Sequence, residues 1–200
     1  MINDKYMDLI EDEHKIAYLL YKQGKMASDY GSHQPVLIHL LNTIKEGTVL
    51  EYGMGDFSTP ICHVICGLQG RGLLSLETNY AWYLKYKKYA DKDHVIDLID
   101  NDRLAKGIYT TITGSFHYSI AFIDGAFGLT RQPLIMLLKK NVDYFIVHDT
   151  EGPALGRKHD GYHYNFSSFK HVFHFLGNPP TSVLSDLDEI NEDILKVFEL

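Results

Sequence analysis

The sequence predicts an α/β domain: a doubly wound, seven-stranded sheet, mostly parallel, with an antiparallel C-terminal strand pair and helices on both faces. Three observations carry this reading. Short apolar segments, often β-branched, recur at 48–52, 72–77, 94–99, 119–124 and 143–148, as strands covered on both faces do. Helical stretches fit between them at 58–67, 79–90, 102–107 and 131–140, and such alternation implies parallel strands joined by crossovers. Two later segments, 169–175 and 181–185, are linked only by LGNPP. That link is too short for a parallel crossover, so the two pair antiparallel.

The flanking elements follow the same logic. Residues 5–22 carry Tyr6, Leu9, Ile10, Ile16, Leu19 and Leu20 at helical spacing. A polar stretch, GKMASDYGSHQ, leads to a second helix over 35–45, with Pro35 in its first turn. Residues 186–198 suit a last helix. With no internal repeat or linker, residues 1–200 read as a single domain: helices over 1–45, an α/β core over 46–185 and a closing helix over 186–200.

Composition narrows the function classes. The 200 residues are 45% hydrophobic and 22% charged, enough for a full core. Net charge is −7, and no basic run is longer than a pair such as Lys87-Lys88 or Arg157-Lys158. A nucleic-acid surface normally shows a Lys/Arg stripe, so nucleic acid is disfavoured. No apolar run reaches the length of a membrane helix, and MINDKYMDLIEDE does not read as a signal peptide. A cytoplasmic protein is the expectation, with Cys62 and Cys66, four apart on a helix, as reduced core thiols.

The chemistry starts at VLEYGMGDFST, residues 49–59. Gly53-x-Gly55-x-x-Ser58 follows the first core strand and opens a helix, and Glu77 ends the second strand 22 residues after Gly55. An acid at that place can take two ribose hydroxyls, so the pattern signals an adenosine-bearing ligand. Glu51 and Asp56 beside the turn would repel a pyrophosphate but attract an ammonium or a sulfonium. S-adenosylmethionine carries both and no phosphate. An ordinary tight turn remains the plain alternative.

Asp124 and Asp149 end the fourth and fifth strands and can converge on the same rim as Glu51. With Thr150 they form an oxygen-rich half-shell of the kind Mg²⁺ or another hard divalent cation prefers. A capping role for both acids is the alternative.

VLEYGMGDFST, LLSLETN, AFIDGA and YFIVHDT, in this order and spacing, resemble the motifs of class I S-adenosylmethionine methyltransferases. The similarity covers about residues 30–185 and is strongest to the small metal-dependent O-methyltransferases, the catechol and macrocin types. It implies a Rossmann-like fold and O-methylation of a small molecule or sugar hydroxyl. It also implies Glu51 on the methionine ammonium, Gly53 and Gly55 against the cofactor, and Ser58 at the methionine carboxylate. Glu77 would bind ribose, Asp100 or Asn101 would lie near adenine, and Asp124, Asp149 and Thr150 would hold the metal, with Asp124 also near the cofactor.

Two departures stand out. Thr150 replaces the family's frequent Asn or Asp, and Phe127 stands where a Lys or His often takes the acceptor's proton. The base must then come from Asp124, His148, His117, Arg131 or Lys158/His159, with Asp124 and His148 chosen as the catalytic pair. Phe127 also supports a rival reading, a catalytically silent domain that binds the cofactor or a partner. RNA ribose methylation is a second rival.

Residues 151–166, with Gly152, Gly156, Gly161, Tyr162 and Tyr164, read as a loop able to close over the site. A zinc site at His159 and His163 lacks a third ligand. Tyr30, Trp82, Tyr83, Tyr86 and Tyr89 read as core and helix-face residues. The expected partner is a small-molecule or sugar acceptor, with no membrane contact and a homodimer left open.

Overall fold

Sheet order is the first result that positions a site. The structure, a computed structural model, describes residues 6–27, 30–100, 116–125, 128–156 and 162–199. Seven strands form one sheet: β1 (Thr48–Tyr52), β2 (Leu73–Glu77), β3 (His94–Leu98), β4 (Tyr118–Ile123), β5 (Val142–His148), β6 (His171–Phe175) and β7 (Thr181–Ser185). Their order is β3-β2-β1-β4-β5-β7-β6. β1 pairs parallel with β2 and with β4, so the strand order reverses there. β7 is inserted between β5 and β6 and runs antiparallel to both. The C-terminal pair is therefore antiparallel as predicted, but of the seven described strands β7 alone points the other way.

The helices are α1 (Ile16–Lys22), α2 (Gln34–Thr43), α3 (Thr59–Gln69), α4 (Tyr80–Tyr86), α5 (Gly128–Leu138) and α6 (Glu151–Leu155). Strand alternation sorts the core into two clusters. Val49, Ile120, Phe122, Tyr144 and Ile146 face α2, α3 and both chain ends. Leu50, Tyr52, Ala121, Ile123, Phe145 and Val147 face α5 and the Phe166–Phe169 segment. Each fully buried Phe or Leu contributes roughly 1.5–3 kcal/mol, and both faces are filled this way. Cys62 and Cys66 are free and buried in the first cluster, where burial pushes the Cys66 thiol up to about 12.

Several predicted bounds change. Residues 5–22 do not form one helix: 3-10 turns at Met7–Leu9 and Asp12–His14 precede α1. Ile10 is extended, and buried Lys15 folds back to donate from Nζ to the Met7 carbonyl at 2.6 Å. The closing helix shrinks to a 3-10 helix, Glu192–Val197, because Asn191 caps it and Asp186 and Asp188 are held by Lys139 and Lys170. Inside the predicted loop, α6 forms and ends at Gly156 in the left-handed region. The predicted helix over 102–107 lies outside the described residues. Among the described residues no helix is long and apolar enough to cross a membrane.

Candidate functional site

At the carboxyl ends of β1, β2, β4 and β5 lies a cavity of about 590 Å³, within the roughly 300–1,000 Å³ of small-molecule sites. Gly53, Gly55, Ser58 and Glu77 line one side, and Asp124, Arg131, His148 and Asp149 the other. This is the place where an open α/β sheet holds its ligand, beside the reversal of strand order. A second hollow of about 650 Å³ lies by His163, Phe166 and His174. Among the described residues its wall holds no acid or permanently charged base, so the cavity at the strand ends is the better site.

The glycine turn is dictated by contact. Gly53 has φ +94°, and a Cβ there would come within 2.5 Å of the Asp124 and Gly125 backbone. Gly125 in turn lies against the Tyr52 ring, where a Cβ would meet Cε1 at 2.3 Å. The ends of β1 and β4 thus interlock through two residues without side chains. At Gly55 a Cβ would meet only Ser58 Oγ, at 3.8 Å, so this stretch of backbone is open to a ligand.

Glu77 is fixed by three backbone amides: Met54 N donates to Oε2 at 2.7 Å, and Thr78 N and Asn79 N to Oε1 at 2.6 and 2.7 Å. A carboxylate has about four acceptor positions, so capacity remains for a hydroxyl.

Glu51 does not reach the cavity. It pairs in register with Ser75 and points to the α3 side, completely buried. Ser58 Oγ and Thr59 Oγ1 donate to its Oε1 at 2.7 and 2.9 Å, and Ser75 Oγ to its Oε2 at 2.6 Å. Burial raises its pKa to about 7 against these hydroxyls. The expectation that Glu51 meets an ammonium directly is thereby corrected: strand alternation turns it beneath the turn. Ser58 does line the cavity, but its hydroxyl hydrogen is committed to Glu51.

Asp56 lines the cavity and accepts from Lys85 Nζ at 2.6 and 2.7 Å and from the Tyr86 hydroxyl. Partial burial would raise its pKa, but Lys85 and Tyr86 outweigh that and hold it low. Asp100 is exposed beyond β3 and is not part of the cavity wall. Asn101, Phe127, Lys158 and His159 lie outside the described residues.

The opposite wall is a charge cluster. Arg131, from α5, is buried, with Nη2 3.0 Å from Asp124 and Nη1 3.1 Å from Asp149. Its Nε donates to the Gly125 carbonyl at 2.7 Å. His148 Nδ1 lies 3.3 Å from Asp124 and 3.5 Å from Asp149. The Ser32 hydroxyl gives its hydrogen to the Pro179 carbonyl at 2.7 Å, so His148 Nε2, 3.0 Å away, must donate to Ser32. Both ring nitrogens therefore face hydrogen-bond acceptors, an arrangement that favours the charged ring. Burial opposes this charge, but Asp124 overcomes it and raises the pKa. Burial likewise works to raise Asp124, and His148 and Arg131 bring it down instead. Asp149 holds its position in the left-handed region, φ 57°, which is rare outside glycine and is found at functional sites.

His33 was not singled out by the sequence. It lines the cavity with its ring centroid 4.7 Å from that of His148. Burial first, and the His148 charge second, push its pKa down to about 3, so it is neutral. Its Nε2 faces the Phe57 carbonyl at 3.3 Å, and among the described residues its Nδ1 has no hydrogen-bond partner. Tyr30 and Trp82 also line the cavity instead of serving only as helix faces, as does Tyr162, whose hydroxyl donates to Asp149 at 3.0 Å beneath a stacked Arg131. His117 pairs with Asp143 before β4, at the far rim of the sheet, which removes it as a base. In a polar loop such as DYGSHQP, no periodicity marks a residue like His33 as a site residue.

The expected cation shell does not fit. Thr150 is fully buried; it donates to the Pro180 carbonyl at 3.3 Å and accepts from Ser182 at 2.8 Å, on the β7 side. Asp124 and Asp149 are already bridged by Arg131. His33, Asp124 and His148 bring one ligand atom each within 4.8 Å of one another. Both His148 nitrogens already face partners, however, Asp124 at Nδ1 and Ser32 at Nε2, and a metal would have to break one of these contacts.

The architecture defines a class. The chain has the fold of the class I S-adenosylmethionine-dependent methyltransferases. Similar solved structures include the O-methyltransferase TomG of Streptomyces achromogenes, involved in tomaymycin synthesis and in complex with SAM. It is 15% identical, with 92% of this chain and 96% of that one covered, at a TM-score of 0.59. An O-methyltransferase from Bacillus cereus in complex with SAH is 13% identical, covering 86% and 89%, with a TM-score of 0.56. CalS11, a TDP-rhamnose 3'-O-methyltransferase of calicheamicin biosynthesis, is 12% identical, covering 76% of each chain, with a TM-score of 0.50. No protein-family model matches the sequence, and no curated protein matches it.

Proposed function

We propose that this chain is an S-adenosylmethionine-dependent O-methyltransferase acting on a hydroxyl of a small molecule or sugar. One observation carries the reading. A single cavity joins an open glycine turn and an amide-fixed Glu77 to the strand-end acid Asp124. The first pair suits an adenosine ligand and the second an acceptor hydroxyl. The neighbours with SAM or SAH bound, and the sugar-modifying one, support it by fold.

The bound donor supplies an electrophilic methyl group on a sulfonium. Gly53 and Gly55 let the backbone approach it, Glu77 receives a ribose hydroxyl on Oε2, and Trp82 and Tyr30 supply apolar walls. Glu51 acts indirectly, by holding the first turn of α3 through Ser58 and Thr59. Asp124 Oδ1 is occupied by His148 and Arg131, and among the described residues Oδ2 carries no hydrogen bond. Oδ2 then accepts the hydrogen of the acceptor hydroxyl and aligns its oxygen lone pair. His33 Nδ1 offers a second, neutral acceptor. His148, its pKa raised beside Asp124, positions that carboxylate and is not itself the base.

Titration calorimetry with the donor and with its demethylated product tests the first half. Transfer of a labelled methyl group to a panel of phenols and sugars tests the second. A protein that binds the donor and labels no acceptor would support the silent-domain reading.

A further inference from the structure

We infer that Arg131 is the resident cation of this site, standing between Asp124 and Asp149 in place of a divalent metal ion. The inference rests on the methyltransferase reading only for its meaning, not for its test.

The geometry is specific. Two carboxylates at the ends of adjacent parallel strands, β4 and β5, would repel each other if left alone in a buried wall. Arg131 reaches both, at 3.0 and 3.1 Å, from a single guanidinium. Its fork is pinned by the Gly125 carbonyl, at 2.7 Å on Nε, and by the His148 carbonyl, at 3.2 Å on Nη1. The Tyr162 ring covers its face, 4.5 Å from Cζ. Planar donors held on three sides cannot drift, so the charge is as localised as a bound ion. His148 adds a second positive charge against the same two acids. The guanidinium and the ring thus face both carboxylates from two sides.

A metal would have to displace the guanidinium from both acids, while Thr150 is turned away as a third oxygen. Arg131 is thus a positioning residue. It sets the direction of Asp124 Oδ2 toward the acceptor, and methyl transfer requires no added cation.

Mn²⁺ titration of the full chain, followed by the loss of the free-ion electron paramagnetic resonance signal, tests this without donor or acceptor. Wild-type protein is expected to leave the signal unchanged. Arg131→Met, which frees both carboxylates, is expected to take up one Mn²⁺ per chain, with affinity at least about tenfold above wild type. Adding Asp149→Asn should abolish that uptake. Stoichiometric Mn²⁺ uptake by wild type overturns the inference, as does a folded Arg131→Met protein that takes up none. Should the methionine variant not fold, Arg131→Gln replaces it and is read the same way. Calorimetry with the demethylated donor, run on the same wild-type sample, tests the methyltransferase reading independently.

Discussion

Ser58, on the cavity wall, hands its hydroxyl hydrogen to Glu51 beneath it, over 2.7 Å. The acid that the sequence places at the rim therefore works from below, as the floor of the glycine turn. Its buried carboxylate has a folded pKa of about 7, above the ordinary 4.5. A raised acid stabilises fully below its unfolded value, and that contribution is lost as pH rises through the folded one. Glu51→Gln cannot ionise and should escape the loss. Wild type is expected to lose on the order of 3 kcal/mol relative to the variant between pH 4.5 and 7. Chemical unfolding at both ends of that range checks the sign.

Gly53→Ala should damage both fold and site. The added methyl would enter the backbone of Asp124 and Gly125 within 2.5 Å, at a φ that L residues avoid. A loss of at least roughly 2 kcal/mol is expected, measured as a lowered denaturation midpoint. Gly55→Ala, with open space around it, should leave the midpoint nearly unchanged and weaken donor binding instead.

Glu77→Gln should weaken donor binding by roughly ten- to a hundredfold, the worth of a charged hydrogen bond of about 1.5–3 kcal/mol. Calorimetry with the demethylated donor reads it. Unchanged affinity would remove Glu77 from the ribose role.

His148 and Asp124 titrate in opposite directions. The raised His148 contributes stability below pH 6.5 and loses it as pH rises through its higher folded value. The lowered Asp124 contributes above pH 3.8 and loses it as pH falls. His148→Asn should therefore be most destabilising between these limits, with the gap to wild type closing at alkaline pH. A pH series of thermal unfolding curves would show it.

Trp82 is the chain's single tryptophan and lines the cavity. Its emission should change in a saturable way on titration with the demethylated donor, giving a dissociation constant that matches calorimetry. An emission that ignores the ligand would place the donor elsewhere.

Much of this was legible in the chain. The spacing of short β-branched runs gave each of the seven strands to within two residues, and LGNPP forced the antiparallel pair. Gly53, Gly55, Glu77, Asp124 and Asp149 all reach one cavity, because strand ends and turns are local features. What failed depends on which way a side chain leaves its strand. Glu51 and Thr150 sit at rim positions but point into the α3 side and toward β7. The sequence marks Arg131 only as a candidate base, since nothing in its helix shows that it bridges two acids, and His33 comes from a polar loop whose sequence gives no sign of the acids it approaches in space. The helices over 5–22 and 186–198 broke up because buried Lys15 and the Asn191 cap override apolar spacing.

The pairing of nearly every acid around the cavity has an effect at a distance. Asp56 answers to Lys85, Asp124 and Asp149 to Arg131 and His148, and Glu51 is sealed from solvent. Among the described acids of the wall, Glu77 is held by backbone amides and paired with no basic side chain, so the attraction a cationic donor meets is concentrated there and is screened beyond roughly 10 Å at 0.1 M salt. Its capture should weaken only modestly with ionic strength, with fit deciding the rest once the molecule has arrived.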